Sequence, residues 1–210
     1  MALEDYTTYT EVDDDGCIEV AAGLITVTNM PRDNDNYVYR DAGADHFGDF
    51  EHLVKTEVSG GTAGLALGGV WGITNVVDDM SGWAGAPALF WYWDPYGNGP
   101  QLRGRAGGTN EDSIPLLANT DYWLTVRRAS TAISIEVYSD AERSVLADTI
   151  TAGADGTAYR YIYAAANWDY DHPERQISYT VGDLDLQEAL ASLPALRSAT
   201  RHRYPMIGLW

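Results

Sequence analysis

One stretch constrains the fold more than any other: DYWLTVRRASTAISIEVYSD, residues 121–140. Tyr122, Leu124 and Val126 alternate with Trp123, Thr125 and Arg127; after the short AST turn, Ile133, Ile135 and Val137 alternate with Ser134, Glu136 and Tyr138. Successive side chains of a strand point to opposite faces, so period-2 alternation on both sides of a turn predicts a hairpin. Leu124, Val126, Ile133 and Ile135 should then share its buried face. The same period recurs along the chain. It predicts strands near Tyr6–Val12, Cys17–Val20, Leu24–Asn29, Tyr37–Asp41, Phe50–Val58, Leu65–Asn75, Ala88–Asp94, Tyr122–Ala129, Ala132–Ser139, Val145–Ile150, Tyr159–Asn167 and Ile177–Leu184. Between them lie DDDG, PRDND, SGG, DPYGNG, RAGGTNED and TAGADG, which supply glycine for positive φ and Asx side chains that close turns. Many short strands joined this way predict an all-β, two-sheet antiparallel jelly-roll sandwich; no long helical pattern supports a parallel βαβ sheet.

One segment departs from alternation. In LDLQEALASLPAL, Leu186, Ala189, Leu190 and Leu193 recur at helical spacing until Pro194. The expected organisation is a sandwich over residues 1–186, a short C-terminal helix over 187–196, and an extended tail over 197–210.

The chain has 210 residues and a formal charge of −18, with a sequence pI near 4.3. Arg197, Arg201 and Arg203 contribute +3 and no acid follows Glu188, so residues 1–190 carry −21. Such a surface repels the phosphate backbone, which excludes nucleic acid from the expected partners. The acid is mostly Asp and Lys55 is the sole lysine, a balance that keeps the surface solvated and suits high salt, although a GC-rich genome gives the same arginine bias. The start, MALEDYTTYTEV, has neither a basic n-region nor an apolar h-region, so no signal peptide is expected. No stretch approaches the ~20 apolar residues of a membrane span. Cys17 is alone and reads as a plain buried thiol.

The hairpin above, the later segment YRYIYAAANWDYD and the phrase ISYTVGDLDL together resemble the concanavalin A-like lectin/glucanase superfamily, its laminin-G-like branch included. In that superfamily a T-x-Y-x-L-x-V-x-R strand leads into a hairpin and a late strand ends in G-D-L-x-L. Here these are Thr120, Tyr122, Leu124, Val126 and Arg128, then Gly182, Asp183, Leu184 and Leu186. YVYRDAGADHFGDFEHLVKTEV also looks like the early strand that crosses the sandwich. The resemblance covers residues 6–186 in strand order and implies a fold, not an activity.

Catalysis of the glucanase kind needs two carboxylates across a cleft, in that family from E-x-D-x-x-E. The nearest match is DLDLQE, with Asp183, Asp185 and Glu188; it begins with Asp and lies late in the chain, so no enzyme is expected. EVDDDG sets Glu11, Asp13, Asp15 and Gly16 at the opening spacing of a calcium loop, but its twelfth position is Ala22, and a hairpin turn with Gly16 at the tip explains it better. RDNDN, with Asp33, Asp35 and Asn36, is the candidate for Ca²⁺, which sandwich loops of the resembled family often hold; otherwise no cofactor is expected. His46, Asp49, Glu51 and His52 in DHFGDFEH match no metal spacing, and neighbours on a strand point apart. In ALFWYWDPYGN, Leu89, Trp91 and Trp93 fall on one face and Phe90, Tyr92 and Asp94 on the other, which predicts a central strand.

NWDYDHPE is different, because its rings follow a strand into a polar loop. Trp168, Asp169, Tyr170, Asp171 and His172 combine rings that stack on sugar C–H faces with acids that accept hydroxyl protons, so they are the candidate glycan site. Arg197, Arg201, Arg203, Tyr204, Met206, Ile207, Leu209 and Trp210 form a candidate docking segment, drawn to an acidic surface of its own sandwich or of a neighbour. Two functional expectations follow. One is a non-catalytic structural or surface protein of a phage or virus particle, a capsid decoration or a tail- or fibre-associated subunit that meets other subunits, its own copies included. The other is a carbohydrate-binding lectin-like module; a glycan-cleaving enzyme of the glucanase branch stands behind both.

Overall fold

The computed structural model describes residues 3–62, 67–83, 88–94, 100–106, 109–153 and 156–188. They form two seven-stranded antiparallel sheets. The first sheet runs, in spatial order, β1 (Thr10–Asp13), β4 (Asn36–Asp41), β13 (Tyr161–Asn167), β6 (Gly68–Thr74), β7 (Ala88–Asp94), β8 (Gln101–Ala106) and β9 (Thr109–Pro115). The second runs β12 (Leu146–Gly153), β11 (Ala132–Tyr138), β10 (Tyr122–Ala129), β5 (Phe50–Gly61), β14 (His172–Glu188), β3 (Leu24–Arg32) and β2 (Ile18–Ala21). No helix among the described residues is long and apolar enough to cross a membrane.

The predicted hairpin is β10–β11, with Val126 opposite Ile135 and Leu124 opposite Val137. Leu124, Val126, Ile133 and Ile135 all enter the core, which the two facing sheets share. Two polar links cross that core: Trp71 Nε1 donates to His52 Nδ1 at 3.2 Å, and Trp93 Nε1 donates to Thr56 Oγ1 at 3.0 Å. A buried indole N–H needs an acceptor, so these pairs fix how the sheets face each other. β7 is central, flanked by β6 and β8, with Leu89 and Trp93 buried on one face and Tyr92 and Asp94 on the other.

Four expectations change. The turn at Gly16, which has φ +64°, is not a hairpin, since β1 joins the first sheet and β2 the second. Asp13 closes it instead, its carboxylate accepting from the backbone N–H groups of Cys17 (2.8 Å) and Ile18 (3.0 Å). Tyr6–Thr8 is a 3₁₀ turn capped by Asp5 rather than strand. β8 and β9 occupy a stretch where no strand was expected and where RAGGTNED reads as a turn. Lastly, Gln187 and Glu188 continue β14, opposite Glu51 and Phe50, where a helix was expected to start. The rest of that expected helix and the whole tail lie outside the described residues; the short α-helix that is described, α1 (Met80–Trp83), lies in the β6–β7 connection.

Candidate functional site

The strands bring three distant segments to one end of the sandwich: the β3–β4 turn, the β13–β14 turn and part of the β6–β7 connection. Asn167, fully buried at the end of β13, ties the first two together. Its Nδ2 donates to the carbonyls of Asn34 (2.8 Å) and Pro31 (3.3 Å), and its Oδ1 accepts from Asn36 N–H (3.2 Å). Asn34 itself takes φ +57°, a conformation Asn tolerates in turns. Arg32 adds a second tie: Nε donates to the Trp168 carbonyl at 3.3 Å, and its guanidinium lies 5.5 Å from the Tyr170 ring centroid.

The third segment reaches the site by lying back along the outer face of the first sheet. Gly69 permits this close approach, since a Cβ there would meet Met80 Sδ at 2.9 Å. Tyr163 holds the segment, its hydroxyl accepting from Asp78 N–H and donating to the Val76 carbonyl, each at 3.2 Å, while Trp83 packs edge-on against its ring. Tyr37, Met80, Trp83, Tyr92 and Tyr163 form a second apolar cluster there. Asp79 then caps α1: Oδ1 accepts from Ser81 N–H (2.9 Å), Ser81 Oγ (2.7 Å) and Gly82 N–H (3.1 Å). Its other oxygen accepts the backbone N–H of Asp169. The cap of one segment is thus also the anchor of the candidate glycan loop.

The resulting surface is rich in acids. One carboxylate oxygen each from Asp33, Asp169 and Asp171 lies within 4.8 Å of the others, the single such group of potential metal ligands among the described residues. Burial pushes the Asp79 carboxyl above the usual carboxylate range, despite the N–H groups it accepts. Asp35 is raised by burial and then by the charges of Asp79, Asp78, Asp14 and Asp169. Tyr170 projects from this acidic rim, 66% exposed, with the His172 ring stacked at 5.9 Å. Trp168 is half-buried and faces the guanidinium of Arg105 at 5.4 Å.

Of the predicted cation ligands, Asp33 joins the group. Asp35 lies in the same acidic surface, but Asn36 is committed elsewhere: Nδ2 donates to Asp15 Oδ2 (2.7 Å) and its oxygen accepts Asp15 N–H (3.2 Å). In its place the structure brings Asp169 and Asp171 from the candidate glycan loop. The other constellations disperse. His52 is a core residue, Glu51 pairs with Arg127 at 2.5 Å, and Asp49 accepts Ser130 N–H at 2.6 Å. Asp183 is exposed in a left-handed turn (φ +53°), while Asp185 is buried and accepts from Gln187 Nε2 at 3.0 Å.

Sequence reasoning missed Asp79, Arg32 and Asp94. The signal for Asp79 was a capping acid in DDMSGW, just before a short helix. Asp94 ends a strand apolar on both faces, where an acid must be buried or at a rim. It is 2% exposed, with Oδ2 on Arg103 at 2.8 Å and Oδ1 without a partner among the described residues.

No protein-family model matches the chain, and no curated protein sequence matches it. Solved structures do match. A protein of unknown function from Saccharomyces cerevisiae superposes with a TM-score of 0.61 at 15% identity, covering 89% of this chain and 99% of that one. The exoplasmic/lumenal domain of VIP36, in a form bound to Ca²⁺ and Man2, gives 0.53 at 13% identity over 91% and 96%. An alginate lyase from Klebsiella pneumoniae gives 0.52 at 9% identity over 86% and 84%. The chain therefore has the concanavalin A-like jelly-roll fold, as the sequence resemblance implied. That fold carries both lectins and enzymes, so the chemistry must be argued from the site.

Proposed function

We propose that this protein is a non-catalytic, lectin-like carbohydrate-binding module whose glycan site is the loop Trp168–His172, ordered by a calcium ion that Asp33, Asp169 and Asp171 would hold. The observation that carries the reading is the convergence of those three carboxylates, from two separate turns, beside an exposed tyrosine. The donor set fits the ion: it is all oxygen and anionic, which suits a hard cation of flexible coordination, and no thiol or imidazole belongs to it. Bound calcium would offset the acidic repulsion that adds to burial in raising Asp35, and would fix the β3–β4 and β13–β14 turns relative to each other. Tyr170 and Trp168 would then offer ring faces to sugar C–H groups, and the remaining acids would accept hydroxyl protons. The exoplasmic/lumenal domain of VIP36, which shares this fold and is found in a Ca²⁺/Man2-bound form, supports the reading.

A glycan array probed with the full chain, with Ca²⁺ and with chelator, tests this. Release of reducing ends or unsaturated products from alginate or a neutral polysaccharide would overturn the non-catalytic part.

A virion is the proposed setting, with other subunits of the particle as protein partners. The support is at the level of sequence: an acidic, dispersed surface, and a segment at 197–210 of opposite charge. Mass spectrometry of purified particles, and capsid or tail genes beside this one, test that placement.

A further inference from the structure

Far along the second sheet from the glycan loop lies a cavity of about 260 Å³, lined by Leu3, Leu53, Trp123, Arg143, Asp183 and Asp185, with Ala141 at its edge. On β5 the core side chains are His52, Val54 and Thr56, so Leu53 points out of the sandwich, and Trp123 does so beside the core residue Leu124. Leu53 is nonetheless buried, and Leu3, Ala141 and Arg143 line the same cavity. Of the lining residues, Leu3 is 55% exposed. The volume is below the ~300–1,000 Å³ of small-molecule pockets and suits a few inserted side chains instead. Two carboxylates against one guanidinium leave the lining net acidic.

We infer that this cavity receives the chain's own segment 197–210, which lies outside the described residues, with one or more of Tyr204, Met206, Ile207, Leu209 and Trp210 as the inserted anchor. Three observations select this occupant. The first is position: Asp185 pairs opposite Leu53 on β5, and β14 ends three residues later, at Glu188, about 10 Å further along at ~3.3 Å per residue. The 15 residues between Glu188 and Tyr204 can reach at most ~50 Å at ~3.3 Å per residue, more than the return requires. The second is charge. The segment carries Arg197, Arg201 and Arg203 and no acid, against a body of −21 that includes Asp183 and Asp185 in the cavity lining. The third is composition: five large apolar side chains in seven residues match an opening with an apolar floor. Tethering raises the local concentration of the chain's own segment to roughly the millimolar range, above that of a second copy at ordinary dilution. Docking on the outer face of β5 leaves the glycan loop free, so this inference stands or falls independently of the lectin reading.

The test is disulfide trapping in the full-length chain. In a C17S background, Leu3→Cys is combined with Leu209→Cys, and a control combines Leu117→Cys with Leu209→Cys. Leu117 is 69% exposed and sits by the turn anchored at Val58, away from the cavity. The expected result is a monomeric, intrachain Leu3–Leu209 crosslink whose yield is unchanged over a hundredfold dilution and which forms at least tenfold faster than the control. Replacing Arg197, Arg201 and Arg203 with Glu should slow it severalfold without touching the sandwich. Equal rates in the two pairs, or no crosslink, would overturn the inference. Dimers whose yield falls on dilution would overturn the own-chain assignment in favour of a second copy.

Discussion

The carboxylate of Asp79 accepts the backbone N–H of Asp169, joining a buried helix cap to the tip of the candidate glycan loop. This bond crosses ninety residues of sequence, and it makes the 76–83 segment part of the site although its one ring, Trp83, is buried. Asp79→Ala should therefore loosen the loop while leaving both sheets intact. Removing the cap costs roughly 1 kcal/mol of stability, but Ca²⁺ affinity should fall tenfold or more. Calorimetric titration beside a thermal melt separates the two, and a parallel loss of both would point to unfolding instead.

Acid should weaken cation binding early. Asp35 and Asp79 hold their protons above the usual carboxylate range. Because the folded-state affinity for protons exceeds the unfolded one, these two groups cost stability at neutral pH, and protonation relieves that cost as pH falls. A nearby calcium ion favours the ionised form of these carboxyls, so the rise in Tm on adding Ca²⁺ should be larger at pH 7 than at pH 5. Melts with and without the ion at each pH measure this.

His52 should give the opposite trend. Burial depresses its pKa to about 3, and Nε2 has no hydrogen-bond partner among the described residues while Nδ1 accepts from Trp71. The unfolded chain binds a proton near pH 6.5 and the folded one does not, so stability from this group is complete above pH 6.5 and is lost as pH falls toward 3. Between pH 7 and pH 4 the loss is about 3 kcal/mol, at 1.36 kcal/mol per pH unit. His52→Gln, which keeps an acceptor for the indole, should flatten that slope in urea unfolding at the two pH values.

Gly68→Ala should destabilise the sandwich. A Cβ at Gly68 would sit 2.4 Å from Cε1 of Tyr179, a fully buried ring on the opposite sheet, so one of the two sheets must shift. Overpacking of this kind costs about 1–3 kcal/mol, readable as a lowered urea midpoint with an unchanged slope.

Where alternation is strict, the fold was legible: the β10–β11 pair could be read residue by residue. Legibility failed where geometry breaks the period. A bulge between Gly182 and Asp185, with Asp183 left-handed, sets the core residues Val181 and Leu184 three apart, and the helical spacing of Leu186, Ala189, Leu190 and Leu193 hid the end of β14. β8 and β9 lie toward one edge of their sheet, and their glycine, arginine and acid content reads as turn chemistry. The candidate site was half legible. Rings and acids in one polar loop announce themselves, but the partners of Asp169 and Asp171, namely Asp33, Asp79 and Arg32, come from segments that only the topology brings near.

The most direct test of the account is glycan binding by the full chain in calcium and in chelator, compared with Tyr170→Ala, which removes an exposed ring outside the core. The account predicts binding to at least one glycan in calcium, with a tenfold or greater loss on chelation and again in the variant. Binding to no glycan, or binding that survives both chelation and loss of the ring, would contradict it.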